Sequence, residues 1–251
     1  MAFRLPAISS ADFAAGIAAL TPEPLAAAAQ AALYAHYLEL RRWNERLGLI
    51  GPGTADKVLV RHFGESLAAL PLIPRTARHG LDLGSGGGFP GLVLAAARPG
   101  LQVTLVEARE RKWAFLSAAA RRAALPCRCL NVRVASPLPA ELPQRIDLVT
   151  VRALKLEPEV LKAFARRLTP EGSMLLWIGE REPILPPELR PRAIVHLAGG
   201  EKRRILQLQA TATVAGEGGD QAGGFATGGE PGGSAAPRGS DADPNVQEPE
   251  P

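Results

Sequence analysis

The sequence predicts an α/β fold: a Rossmann-like, doubly wound sheet of seven strands, with an N-terminal helical extension and a disordered C-terminal tail. Three observations predict it. From residue 79 onward, short apolar runs alternate with helical stretches, the pattern of a parallel sheet covered on both faces. Residues 1–50 instead repeat their apolar positions at three- and four-residue steps. Residues 216–251 hold ten glycines and five prolines and almost no large apolar side chains, too little to offset the entropy of ordering. The boundaries that follow are 1–53 for the extension, 54–215 for the sheet domain and 216–251 for the tail.

Taken in order, Asp12 is placed to cap a short helix, Phe13 to Leu20, and Pro22 and Pro24 then break the chain. Leu25, Ala29, Ala32, Leu33, His36, Leu40, Trp43 and Leu47 form one face of an amphipathic helix that ends near Gly48. Gly51-Pro52-Gly53 makes a turn, and Thr54 is placed to cap a further helix over 55–70. Strands are expected over 80–83, 101–106, 127–132, 146–151 and 173–178, with helices over 89–98, 110–123 and 156–167. The connection around 137–143 reads as a loop or a single turn. Two last runs, 193–197 and 204–211, flank Gly199-Gly200 and read as an antiparallel hairpin that closes the sheet.

A chain of 251 residues can bury one large core with an appendage. No apolar run reaches the roughly 20 residues needed to span a bilayer, and Met1-Ala-Phe-Arg-Leu-Pro carries no apolar export signal, so a cytoplasmic protein without membrane contact is expected. Cys127 and Cys129 share one face of a strand and read as reduced thiols; a metal site would need more ligands. Charge is uneven. The tail has seven acids and one base, a net of −6, so the overall +4 leaves +10 on residues 1–215. That balance suits a partner that is a polyanion and equally suits solvated arginine-rich helix faces.

The most informative run is Leu81-Asp-Leu-Gly-Ser-Gly-Gly-Gly-Phe-Pro-Gly91: an apolar strand, an acid, a glycine loop and a helix start. Gly84, Gly86 and Gly88 allow positive φ and let a ligand lie against bare backbone. Gly86-x-Gly88-x-x-Gly91 also satisfies the dinucleotide fingerprint, so an NAD enzyme is the first rival. Asp82 argues against it, because a carboxylate at the strand end repels a pyrophosphate and favours an ammonium group. Glu107, at the tip of the second strand, is placed to accept hydrogen bonds from two ribose hydroxyls. Together these favour S-adenosylmethionine over a dinucleotide.

The same run, with Ala97-Arg98-Pro99 and Leu101 to Glu107, resembles the RsmG (GidB) family. So do Trp43-Asn44-Glu-Arg46, Arg61-His62-Phe63-Gly-Glu65-Ser66-Leu67, Arg111-Lys112-Trp113-Ala114-Phe115-Leu116, Arg133-Val134 and Arg152-Ala153. The likeness runs from about residue 34 to 180. It implies a class I S-adenosylmethionine-dependent methyltransferase that methylates guanine N7 in 16S ribosomal RNA. By resemblance Phe89, Val134, Ala135 and Arg152 join Asp82, the glycines and Glu107 around the cofactor. Arg46, Arg61, Lys112 and Lys155 meet RNA, with Arg41, Arg42, Arg109 and Arg111 as further candidates. The implied partner is 16S rRNA or the small ribosomal subunit, met by a monomer. The chain departs from the family at Gly48 and Ile50 (Asn and Thr there), Glu65 (Asp), Ala135 (an acid), Val151 (Ser) and Ile178 (Lys). Two alternatives stay open: a divergent relative that binds cofactor or rRNA with little turnover, and a methyltransferase with another substrate.

No catalytic base is assigned. N7 of guanine has an in-plane lone pair and no proton to lose, so alignment and charge placement carry the chemistry. His62 reads as a packed histidine. Trp43, at helical spacing, reads as core rather than as a stacking platform for a base.

Overall fold

A computed structural model describes residues 3–21, 23–198 and 202–211. The tail expected over 216–251 and the Gly199-Gly200 turn lie outside the described residues. Helix α1 (Ser10–Ala18) is capped by Ser9, whose hydroxyl accepts the Asp12 amide. Asp12 therefore sits in the first turn, where its charge suits the helix dipole, and does not itself cap. Helix α2 (Ala27–Leu47) ends at Gly48, whose φ of 56° makes the left-handed cap that glycine adopts without strain.

The single helix expected over 55–70 is broken into shorter pieces. Pro52–Thr54 is a 3₁₀ turn, Leu59–Gly64 is π-helical, one α turn follows (α3, Glu65–Leu67), and Leu70–Leu72 is a second 3₁₀ turn. Thr54 does not cap. Its hydroxyl bonds the Gly51 carbonyl and His62 Nε2.

From there the alternation holds: β1 (His79–Leu83), α4 (Gly91–Ala97), β2 (Gln102–Val106), α5 (Glu110–Arg122), β3 (Arg128–Leu130), β4 (Ile146–Arg152), α6 (Pro158–Ala165), β5 (Leu168–Ile178), β6 (Leu189–His196) and β7 (Arg204–Ala210). The sheet runs β3-β2-β1-β4-β5-β7-β6. The first five strands are parallel; β7 is antiparallel to both β5 and β6. This is the seven-stranded, doubly wound sheet with a terminal hairpin that the sequence predicts.

Alternation along the strands splits the core. Leu81 and Leu83 of β1, with Val149 and Val151 of β4, pack toward α6. Val103 and Leu105 of β2 and Leu148 of β4 pack on the other face, with α4, α5 and the extension. Phe13, Leu33, Tyr37 and Leu40 of α1 and α2 belong to that same cluster, so the extension shares its core with the sheet. Strand order reverses at β1, whose neighbours β2 and β4 lead to opposite sides, and a crevice for a ligand opens there at the strands' carboxyl ends.

Candidate active site

A cavity of about 560 Å³ occupies that crevice. Its floor is the glycine loop between β1 and α4. Gly84, Gly86 and Gly88 have φ of 69°, 51° and 85°, a conformation that side chains resist. Ser85 N–H donates to the Val106 carbonyl, so the loop is stitched to the end of β2. Glu107, the next residue, accepts the Gly86 amide on one oxygen (3.1 Å) and the Arg109 amide on the other (2.9 Å). Its carboxylate is thus fixed at the cavity wall, with lone pairs left for a ligand.

Of the residues expected at the cofactor, Gly84, Gly86, Phe89, Glu107, Val134 and Arg152 line the cavity. Asp82, Gly88 and Ala135 do not. Asp82 pairs with Thr150 across β1 and β4, on the face covered by α4. Its side chain is buried, accepting the Thr150 hydroxyl at 2.7 Å and the Gly91 amide at 3.3 Å. The expectation that this carboxylate faces an ammonium group is therefore corrected: it ties the start of α4 to β4 from beneath. Gly88 acts by close approach. A Cβ there would lie 2.5 Å from Leu92 Cδ1 and 2.9 Å from His36 Nε2. Ala135 is exposed one residue past the wall.

Of the residues expected at RNA, Lys112 and Lys155 line the cavity; Arg46 is exposed on α2 and does not line it. Arg61 does not line the cavity; it is partly exposed, and its guanidinium is paired with Glu65 at 2.9 Å. The cluster around Glu65, a residue noted in the sequence only as a departure from the family pattern, was not anticipated. Glu65 is 5% exposed and pairs with Arg61, Arg152 and Arg203. Arg152 is further held by the carbonyls of Arg61 and His62. Its guanidinium, at the end of β4, is thereby oriented at the cavity wall. Burial and the neighbouring Arg61 lower its pKa to about 10, so it stays charged at neutral pH. The one available signal was the i, i+4 spacing of Arg61 and Glu65; nothing local points to Arg203.

His62 also lines the cavity, with its ring 5.1 Å from Phe89. Burial, then the charges of Arg152 and Arg61, lower its pKa to about 3, and burial lowers that of His36 to about 4. Both are neutral at pH 7, and neither suits a base that must gain a proton there. Trp43 is half-buried against the core: it packs on Phe115 and donates to Glu39.

Acid lability follows from these shifts. The two histidines bind fewer protons folded than unfolded, so their contribution to stability is present above about pH 6.5 and is lost as pH falls toward 4. Asp82 acts oppositely. Burial, opposed by the Thr150 bond, raises its pKa to about 6, so its contribution is present below about pH 4 and is lost as pH rises through 6. Two imidazoles outweigh one carboxylate. At up to ~1.4 kcal/mol per group and pH unit, a net loss of roughly 1–1.5 kcal/mol per unit is expected between pH 6 and 4. Urea unfolding at pH 6.5 and pH 4.5 measures it; equal midpoints would contradict the account.

The profile of the GidB family, described as rRNA small subunit methyltransferase G, matches residues 29–194. The chain belongs to this family. A ribosomal RNA small subunit methyltransferase G of Rhodopseudomonas palustris (strain BisB5) is 38% identical over 175 residues, covering 68% of this chain and 74% of that protein. Its namesake in Paracoccus denitrificans (strain Pd 1222) is 37% identical over 143 residues, 56% of this chain and 71% of the relative. The glycine loop, Glu107, Glu65 and Arg152 all fall within the family match, whereas Arg203 lies beyond it. Among the described residues, no helix is long and apolar enough to cross a membrane, and no His/Cys/Asp/Glu group could hold a metal ion.

Proposed function

We propose that the protein transfers a methyl group from S-adenosylmethionine to N7 of a guanine in small-subunit ribosomal RNA. One observation carries the reading in a chain of this family: the cavity over β1 and β2 joins a nucleoside-sized floor to a strongly cationic wall. Its volume lies within the range of small-ligand pockets. Among the described residues, Arg109, Lys112, Arg133, Arg152 and Lys155 line it against one acid, Glu107.

The cofactor would supply an electrophilic methyl on a sulfonium. The protein's part is placement. Glu107 is positioned to accept the two ribose hydroxyls, and Val134 offers an apolar wall for the adenine. The backbone of Gly84 to Gly87 allows close approach where side chains would collide; Leu154 already folds over Gly84, 3.1 Å from where a Cβ would stand. Asp82 acts indirectly, fixing the first turn of α4 and hence the loop that precedes it. Guanine N7 attacks with its own lone pair, so no group must remove a proton. The cations on the wall hold the RNA backbone and keep the base in line with the methyl group.

Methyl transfer from labelled cofactor to small subunits lacking the N7 mark tests this directly. Incorporation at a guanine N7 is expected; binding of both partners without incorporation would favour the divergent-relative reading. Thermal stabilisation by S-adenosylmethionine but not by NAD is expected as well. Binding to rRNA should weaken steeply with salt, because contacts to phosphates release counterions. Arg46→Glu should lower RNA affinity and leave cofactor affinity unchanged, since Arg46 is exposed on α2 and does not line the cavity. Equal loss of both affinities would contradict a separate RNA surface.

A further inference from the structure

His36 lies outside the cavity and has no part in the chemistry described so far, yet it touches the glycine loop from behind. It is 1% exposed on α2, and its Nε2 lies 2.8 Å from the Gly87 carbonyl oxygen. The ring packs among Phe63, Phe89 and Phe115, with centroids 5.4, 4.9 and 6.3 Å away. We propose that His36 is a positioning residue for the cofactor: its Nε2–H donates to the Gly87 carbonyl and sets the backbone of Gly86 and Gly87, which lines the cavity where the cofactor would rest. The inference rests on the reading of this loop as the cofactor's seat.

Three observations support it. First, three consecutive glycines have more freedom than any other tripeptide, and a ligand that had to order them would lose affinity. The loop is restrained at Ser85 by Val106, at the Gly86 amide by Glu107 and at the Gly88 amide by Ser85. At the Gly87 carbonyl the partner is His36. Second, the fit is tight, since a Cβ on Gly88 would stand 2.9 Å from Nε2. Third, the bond fixes the tautomer. A neutral imidazole has one N–H, and a carbonyl can only accept, so the proton is on Nε2. Nδ1 is then a buried acceptor without a hydrogen-bond partner among the described residues. A phenylalanine would fill this aromatic cluster without that cost. The histidine is explained by what its other nitrogen holds.

The test compares His36→Phe, which keeps the packing and removes the donor, with His36→Gln, whose amide can still donate. Calorimetry gives the S-adenosylmethionine Kd, and methyl transfer gives KM for cofactor and for small subunits separately. His36→Phe should raise the cofactor Kd and KM about 3- to 10-fold, the size of one lost hydrogen bond, with the KM for subunits unmoved. His36→Gln should recover most of that loss. Unchanged cofactor affinity in His36→Phe, or an equal loss in His36→Gln, would overturn the proposal. The unsubstituted protein offers a check that needs no variant: ¹⁵N spectra of the imidazole should show the neutral Nε2–H form, and the Nδ1–H form would overturn the proposal outright. A wild-type protein that binds no S-adenosylmethionine would overturn the cofactor reading and this proposal with it. That result is distinct from wild type and His36→Phe binding equally well, which removes only this one.

Discussion

Replacing Glu65 by alanine should destabilise the protein by about 3–5 kcal/mol, the usual consequence of removing one partner from a buried ion pair. Glu65 is the carboxylate shared by Arg61, Arg152 and Arg203, whose side chains are 29%, 13% and 20% exposed. Without it three guanidiniums face one another in a half-dry pocket, and water reaches them too little to screen the repulsion. Activity should fall further than stability, because Arg152 loses the contact that aims it at the cavity wall. Glu65→Gln should be milder, since the amide oxygen can still accept one bond. The measurements are urea midpoints and methyl-transfer rates at a temperature where both variants stay folded. A loss under 1 kcal/mol in Glu65→Ala would mean that the arginines turn outward freely and that the cluster does not hold the site.

Replacing Glu107 by alanine should weaken S-adenosylmethionine binding by roughly 1.5–3 kcal/mol, about 10- to 150-fold in Kd, the size of charge-assisted hydrogen bonds to the ribose. The carboxylate is 8% exposed, and its oxygens already hold the amides of Gly86 and Arg109. Losing it therefore removes the ligand's acceptor and loosens the loop that carries the ligand. Global stability should change by about 1 kcal/mol or less, because the freed amides face the cavity and can bond water. Glu107→Gln should fall between the two. Calorimetric titration decides the matter; a change in Kd under threefold would remove Glu107 from the cofactor site.

These residues show what a linear reading can and cannot reach. The sheet was legible because apolar runs of strand length alternate with helical periodicity, and the glycine loop because its composition has no bland use at a strand end. Glu107 was legible for the same local reason. Asp82 was misread because its surroundings are set by register: only the pairing with Thr150 and the approach of α4 show that its oxygens are taken. Glu65 and Arg203 are 138 positions apart, and their meeting follows from the return of the terminal hairpin, not from any motif. The segment 55–70 has helical composition throughout. Its division into 3₁₀, π and α turns comes from packing, with Gly64 fitted against Leu20 and the Arg61 carbonyl drawn to Arg152.

The place of β7 in the sheet sets an order of events during synthesis. Among the described residues it is the last strand of the sheet in sequence, yet it lies between β5 and β6. Until residues 204–210 leave the ribosome, β5 presents an unpaired edge from Met174 to Ile178, and β6 has no partner. At translation rates of roughly 5–20 residues per second, that edge stays open for about 2–6 s after Ile178 emerges. Met174, Leu175 and Leu176 lie along it, an apolar template for pairing with another chain. Arg203 arrives with the same strand, so closure of the sheet and completion of the Glu65 cluster fall together. A nascent chain paused before residue 203 holds its glycine loop and Glu107 but has neither a closed sheet nor the third arginine of the Glu65 cluster.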